Sequence, residues 1–150
     1  MLERILPARF DNHYRGHRLA LWLFYLITAM TVGRSLIHMF RSDGGAQSIA
    51  TIPLDSFGPG GAATVISIFA LWGLSQLLIG LLFALVAFRY RAMIPLMYVL
   101  ILVEYAGRLG VGLAKPVVTI GTPPGAPGSF VMIALGAIGL VLSLRTRTEH

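Results

Sequence analysis

The stretch AATVISIFALWGLSQLLIGLLFALVAF, Ala62 to Phe88, is 27 residues long and carries no charged side chain. A helix rises about 1.5 Å per residue, so about 20 apolar residues cross a hydrocarbon core about 30 Å thick. This segment is long enough to span a bilayer. Three others match it or come close: residues 19–40, 92–114 and 129–144, the last being the shortest. The expected fold is all-α, a polytopic membrane protein built as a four-transmembrane-helix bundle. Residues 1–18 form a basic leader ahead of a transmembrane domain covering residues 19–150.

Composition agrees. Of 150 residues, 56% are hydrophobic and 12% are charged, about half the charged share of an ordinary soluble domain. The mean hydropathy is +0.78. There is no cysteine, which excludes disulfides, thiolate metal sites and CxxC redox chemistry. The net charge of +6 comes with no nucleic-acid-binding motif. Most of the cations flank apolar segments, so membrane lipids are the expected partner and nucleic acid is not.

The loops assign an orientation. Arg4, Arg9, Arg15 and Arg18 precede the first span, Arg89 and Arg91 join the second to the third, and Arg145 and Arg147 follow the fourth. The opposite loops hold only Arg41 and Lys115. Eight cations against two place both termini and the FRYRAM turn in the cytoplasm, by the positive-inside rule. The first span is too long and too polar at Arg34 and His38 to be a cleaved signal peptide. In the leader, Leu2, Ile5, Leu6, Phe10 and Tyr14 approach helical spacing. It is either an interfacial helix, which Pro7 interrupts, or a loosely ordered basic arm. The long Gly- and Pro-containing loops on the other side are either connectors or a lid over the bundle mouth.

The remaining two cations, Arg34 and Arg108, lie inside spans, as does Glu104 in VEYAGRLG (Val103–Gly110). Glu104 falls near the centre of the third span, and Arg108 about one turn beyond it. Arg34, His38 and Gln76 fall in the same layer. Thr28, Thr31, Arg34, Ser35 and His38 recur every three or four residues and make one polar stripe; Trp72 and Gln76 share a face, as do Ile101, Glu104 and Arg108. The fourth span has Ser129 and Ser143 only at its ends, and is expected to pack through Ala134, Ala137 and other small residues without supplying chemistry.

An ion facing lipid at this depth costs a few kcal/mol or more, so these groups should face inward. Glu104 and Arg108 have the favourable order for an i, i+4 pair. Two readings follow. In one, Arg34, Glu104 and Arg108 with Gln76 form a buried network that fixes helix register. In the other, an outward-opening pocket with surplus positive charge takes an anionic headgroup, with Trp72, Tyr98 and Tyr105 as lining. His38 is the only histidine within the spans and has no partner at ligand spacing, so no metal is expected, and no cofactor is called for.

The segments SLIHMFRSDGGAQSIATIPL, ALWGLSQLLIGLL, RYR, EYAGRLGVGLAKP and PPGAPG resemble a family of small four-helix bacterial membrane proteins distantly related to the DoxX-like group. The resemblance covers residues 19–144. It implies a four-helix bundle in the bacterial inner membrane and an accessory role, but no reaction.

The expected function is non-catalytic. The protein binds a lipid-like or anionic small molecule through Arg34, His38, Trp72, Gln76, Glu104, Tyr105 and Arg108, or serves as an accessory subunit of a membrane complex. The alternative is a membrane enzyme acting on a hydrophobic substrate, with Glu104 or His38 as acid or base. Ala106, Gly110 and Ala114 give the third span a small-residue strip suited to homo-oligomer contacts or to packing within the bundle.

Overall fold

The computed structural model describes residues 2–145, so the expected flanking cation Arg147 lies outside the described residues. The chain is all-helical. A single turn, α1 (Leu2–Ile5), precedes four long helices: α2 (Arg18–Phe40), α3 (Pro59–Arg89), α4 (Ile94–Ala114) and α5 (Gly125–Leu144). All four are long and apolar enough to cross a membrane.

Their boundaries follow from local chemistry. The His17 imidazole accepts from the Leu19 amide at 3.2 Å and so caps α2. Pro59 opens α3 and Pro95 lies in the first turn of α4, where a missing N–H costs no helical bond. Within each helix the apolar run leaves every backbone group to be satisfied internally, as a lipid environment demands.

The helices run alternately up and down. α2 packs along α3, α4 along α5, and α2 against α5, whereas α3 and α4 touch only sparsely. α2 and α4 are therefore diagonal neighbours. One end of the bundle, the terminal end, carries the leader, the α3–α4 turn and the end of α5. The other, the loop end, carries residues 41–58 and 115–124.

Glycines set the two tight helix pairs. A Cβ on Gly73 would lie 2.9 Å from the His38 Cβ, and one on Gly80 would lie 2.9 Å from Val32 Cγ2, so α2 and α3 approach closely there. On α5 the corresponding residues are Gly136, against Ile101 and Leu102, and Gly139, against the Tyr98 ring. This corrects the expectation for Ala134 and Ala137, both of which are exposed. Met132, Gly136, Gly139 and Ser143 share the inward face at three- and four-residue spacing, and the alanines fall off it. The strip Ala106, Gly110 and Ala114 also faces outward and takes no part in packing within the bundle.

The bundle has a dry half and a polar half. Toward the terminal end, Phe24, Phe83, Ile94, Met97, Tyr98 and Ile101 are buried together. The Phe24 ring lies 5.5 Å from Phe83 and 5.8 Å from Tyr98, and the Tyr98 hydroxyl donates to the Ala20 carbonyl at 2.6 Å. Tyr98 thus belongs to the apolar core and not to the wall of the cavity that Arg34 and Arg108 line. The leader is helical only over α1; after Pro7 it is non-helical and is tied to the terminal end by the His17 amide on the Leu142 carbonyl and the Ala92 amide on the Asp11 carbonyl.

At the loop end, residues 41–52 wind into a compact cap. Gly44 and Gly45 take φ of 59° and 77°, and the Asp43 carboxylate accepts from the Gly45 amide at 2.9 Å and the Ser48 amide at 2.7 Å. Ala46, Ile52 and Leu54 pack on Val65, Ile66 and Phe69 of α3. The two loops are joined: the Ile120 amide donates to the Thr51 carbonyl at 2.9 Å, and the Thr51 hydroxyl to the Gly121 carbonyl at 3.1 Å. Of the two possibilities for these loops, the structure shows a joined cover.

Candidate functional site

Below that cover, in the polar half, all four long helices surround a cavity of about 320 Å³. Arg34 and His38 enter from α2, Trp72 from α3, and Tyr105 and Arg108 from α4. Gln76 and Glu104 stand behind this lining, each bonded to one of the arginines. The seven residues singled out in the sequence are therefore neighbours, five at the cavity wall and two supporting it.

Arg34 and Arg108 are held differently. Arg108 donates from Nε at 2.9 Å and from Nη2 at 2.6 Å to the same Glu104 oxygen, Oε1. Arg34 donates from Nη2 to Gln76 Oε1 at 3.0 Å and from Nη1 to the Tyr105 hydroxyl at 3.3 Å. It forms no ion pair among the described residues, and its Nε is buried without a partner. The Arg34–Glu104–Arg108 trio of the network reading is thus an Arg108–Glu104 pair plus an arginine on neutral partners. The reason is topological. α4 lies diagonally across from α2, so Arg34 meets Gln76 on its adjacent helix and Tyr105, one residue round from Glu104.

Both guanidiniums lie over the same two aromatic rings. Arg108 Cζ is 4.7 Å from the Trp72 ring and 5.1 Å from Tyr105; Arg34 Cζ is 5.8 Å and 6.0 Å from them. The negative faces of these rings attract cations. With one carboxylate for two guanidiniums, one positive charge is uncompensated within the cluster.

His38 closes the site against the cap. Its Nδ1 lies 2.7 Å from the Gly44 carbonyl, and its ring stacks obliquely on Trp72 at 4.6 Å. A carbonyl only accepts, so Nδ1 carries the proton, and in the neutral ring Nε2 is left as an acceptor. Two other members of the α2 stripe are satisfied locally: the Thr28 and Ser35 hydroxyls donate to the carbonyls four residues back, at 2.8 Å and 2.6 Å.

The remaining wall has no charge or polar stripe to mark it in the sequence. Met30, Ile49, Phe69 and Met132 make it apolar, and the start of α5 contributes Pro124, Gly125, Gly128 and Ser129. The Gly125, Gly128 and Ser129 spacing was the available signal, since small residues in a first turn leave room beside a helix. The Ser129 hydroxyl is already engaged by the Gly125 carbonyl at 2.8 Å. Asp43 anchors the cap above. Desolvation pushes its carboxyl up, but hydrogen bonds from Ser48 and the Gly45 amide, with Arg41 nearby, outweigh this and hold it at about 2.

No protein-family model, curated protein or solved structure matches this chain.

Proposed function

We propose that the cavity binds an amphiphile with a carboxylate or phosphate headgroup, which lies on Arg34 and Arg108 with its apolar part against Met30, Phe69 and Met132. The carrying observation is Arg34, a partly buried guanidinium with neutral partners, an unpartnered Nε and a cavity in front of it. An anionic group would supply the missing counter-charge through charge-assisted bonds. The volume falls at the small end of ligand pockets, enough for a headgroup and the first part of a chain. His38 Nε2 adds an acceptor for a ligand hydroxyl. The ion pairing of Glu104 with Arg108 favours binding over acid–base catalysis, because the carboxylate is already engaged by a cation.

In this reading the protein sits in a bacterial inner membrane with both termini in the cytoplasm, and the site opens toward the outer leaflet. The imbalance of flanking cations supports that orientation. The DoxX-like resemblance adds an accessory role beside other membrane proteins.

The test is native mass spectrometry of the protein released from nanodiscs. Arg34→Gln is expected to accumulate and insert normally but to lose a co-purifying amphiphile that the parent retains. If the variant fails to accumulate and the parent carries no bound molecule, the cluster serves only to hold the helices together.

A further inference from the structure

A second cavity, of about 300 Å³, lies at the terminal end, away from the site above. Three chain segments build it. The leader is tied down by the Arg4 Nη1 bond to the Leu144 carbonyl, by the His17 amide on the Leu142 carbonyl at 3.0 Å, and by the Asp11 carbonyl, which accepts from the Ala92 amide at 3.3 Å. Gly16 is buried where the leader crosses α5; a Cβ there would lie 2.6 Å from the Ser143 carbonyl oxygen. The leader therefore forms one wall, the α3–α4 turn another and the end of α5 the third.

Three arginines, Arg4, Arg15 and Arg91, face this cavity with His13, and among the described residues Glu3 is the one acidic residue in its wall. Each arginine is positioned by an anchor. Arg4 is held by the last carbonyl of α5, Arg91 by the Ala87 carbonyl in the last turn of α3 through Nε at 3.0 Å, and Arg15 by Asp11 through Nη2 at 2.8 Å. A guanidinium has five N–H donors, so most of the donors on each remain unspent. Among the described residues, counting both Glu3 and Asp11 still leaves a positive surplus. Preoriented, planar donors from three directions match the oxygens of a phosphate, which arginine engages bidentately.

We propose that this cradle is a phosphate-binding site, for a phospholipid headgroup or a soluble phosphate, separate from the intramembrane cavity. Its place at the ends of the helices is where headgroups would lie if the spans cross a bilayer, and Pro7, Tyr14 and Pro95 give it an apolar wall.

The control variant is built into the chain. Arg89 is exposed and lies two residues from Arg91, but does not line the cradle. Arg91→Gln and Arg89→Gln therefore remove the same charge from nearly the same place. In nanodiscs of phosphatidylcholine with added phosphatidylglycerol, phosphatidylglycerol retention is read by native mass spectrometry. In pure phosphatidylcholine discs, inorganic phosphate is titrated and read by thermal shift. Loss of one or two charge-assisted bonds in Arg91→Gln should weaken binding about tenfold, with Arg89→Gln within about twofold of the parent. Retention of phosphatidylglycerol alone identifies a lipid headgroup, and a response to inorganic phosphate identifies a soluble ligand. If Arg91→Gln does not fold, Arg15→Gln, whose side chain is exposed and, among the described residues, bonded only to Asp11, replaces it. Equal weakening by the Arg89 and cradle variants, or no response in either arm, overturns the proposal.

Discussion

Neutralising Glu104 separates the paired geometry from a three-membered ion network. Glu104→Gln keeps the side-chain shape and an acceptor oxygen for Arg108, but removes the negative charge. Glu104 Oε1 accepts two charge-assisted bonds, and the two side chains are 21% and 23% exposed. Hydrogen bonds to charged groups contribute about 1.5–3 kcal/mol. Here the partial exposure and the Trp72 ring, which still holds Arg108, place the expected loss at about 1–2 kcal/mol. A buried trio would lose about 3–5 kcal/mol, since two guanidiniums would be stranded. The decisive measurement is a pair of double-mutant cycles from equilibrium unfolding in mixed micelles. Glu104→Gln with Arg108→Gln should couple by about 1 kcal/mol or more. Glu104→Gln with Arg34→Gln should couple by less than about 0.5 kcal/mol, because they share no bond. A loss of 3 kcal/mol or more, with strong coupling to Arg34, would refute the separation of the two arginines.

Two further predictions test the parts of the fold that hold the site. Gly139→Ala places a methyl against the Tyr98 ring, which cannot yield because it is fully buried and its hydroxyl is held by Ala20. It should destabilise by about 1–3 kcal/mol, whereas Gly33→Ala, with open space around it, should be neutral or slightly stabilising; equal unfolding midpoints for the two variants would contradict the α4–α5 packing. The cap should loosen in acid through Asp43. Its folded pKa of about 2 lies below the ordinary aspartate value of 3.8, so its contribution is complete above about pH 4 and is lost as pH falls through about 2. The shift corresponds to at most about 2.5 kcal/mol, and to about 1 kcal/mol after solvent screening. Amide protection at Gly45 and Ser48 should fall over that range in the parent and be low throughout in Asp43→Asn.

The four spans were legible because lipid-length apolar runs impose helix whatever their neighbours do, and 19–40 and 62–88 end within a few residues of α2 and α3. The layer holding Arg34, Gln76 and Glu104 was legible too, since depth along a helix is a matter of counting residues. What counting cannot give is which helices are adjacent. The network reading gives Arg34 to Glu104 because opposite charges attract, yet the adjacent helix offers Gln76, and the diagonal one offers Tyr105 before its carboxylate. The same gap hid the role of α5. Its glycines look interchangeable with its alanines until the inward face is known, and then Gly136 and Gly139 bring α5 against α4 while Gly125 and Gly128 leave the cavity open beside it. The partner of Arg34 and the volume in front of it are thus two consequences of one arrangement. Placing α4 diagonal to α2 keeps the only carboxylate of the cluster among the described residues on Arg108, and so leaves Arg34 as the cation that the proposed anionic ligand would neutralise.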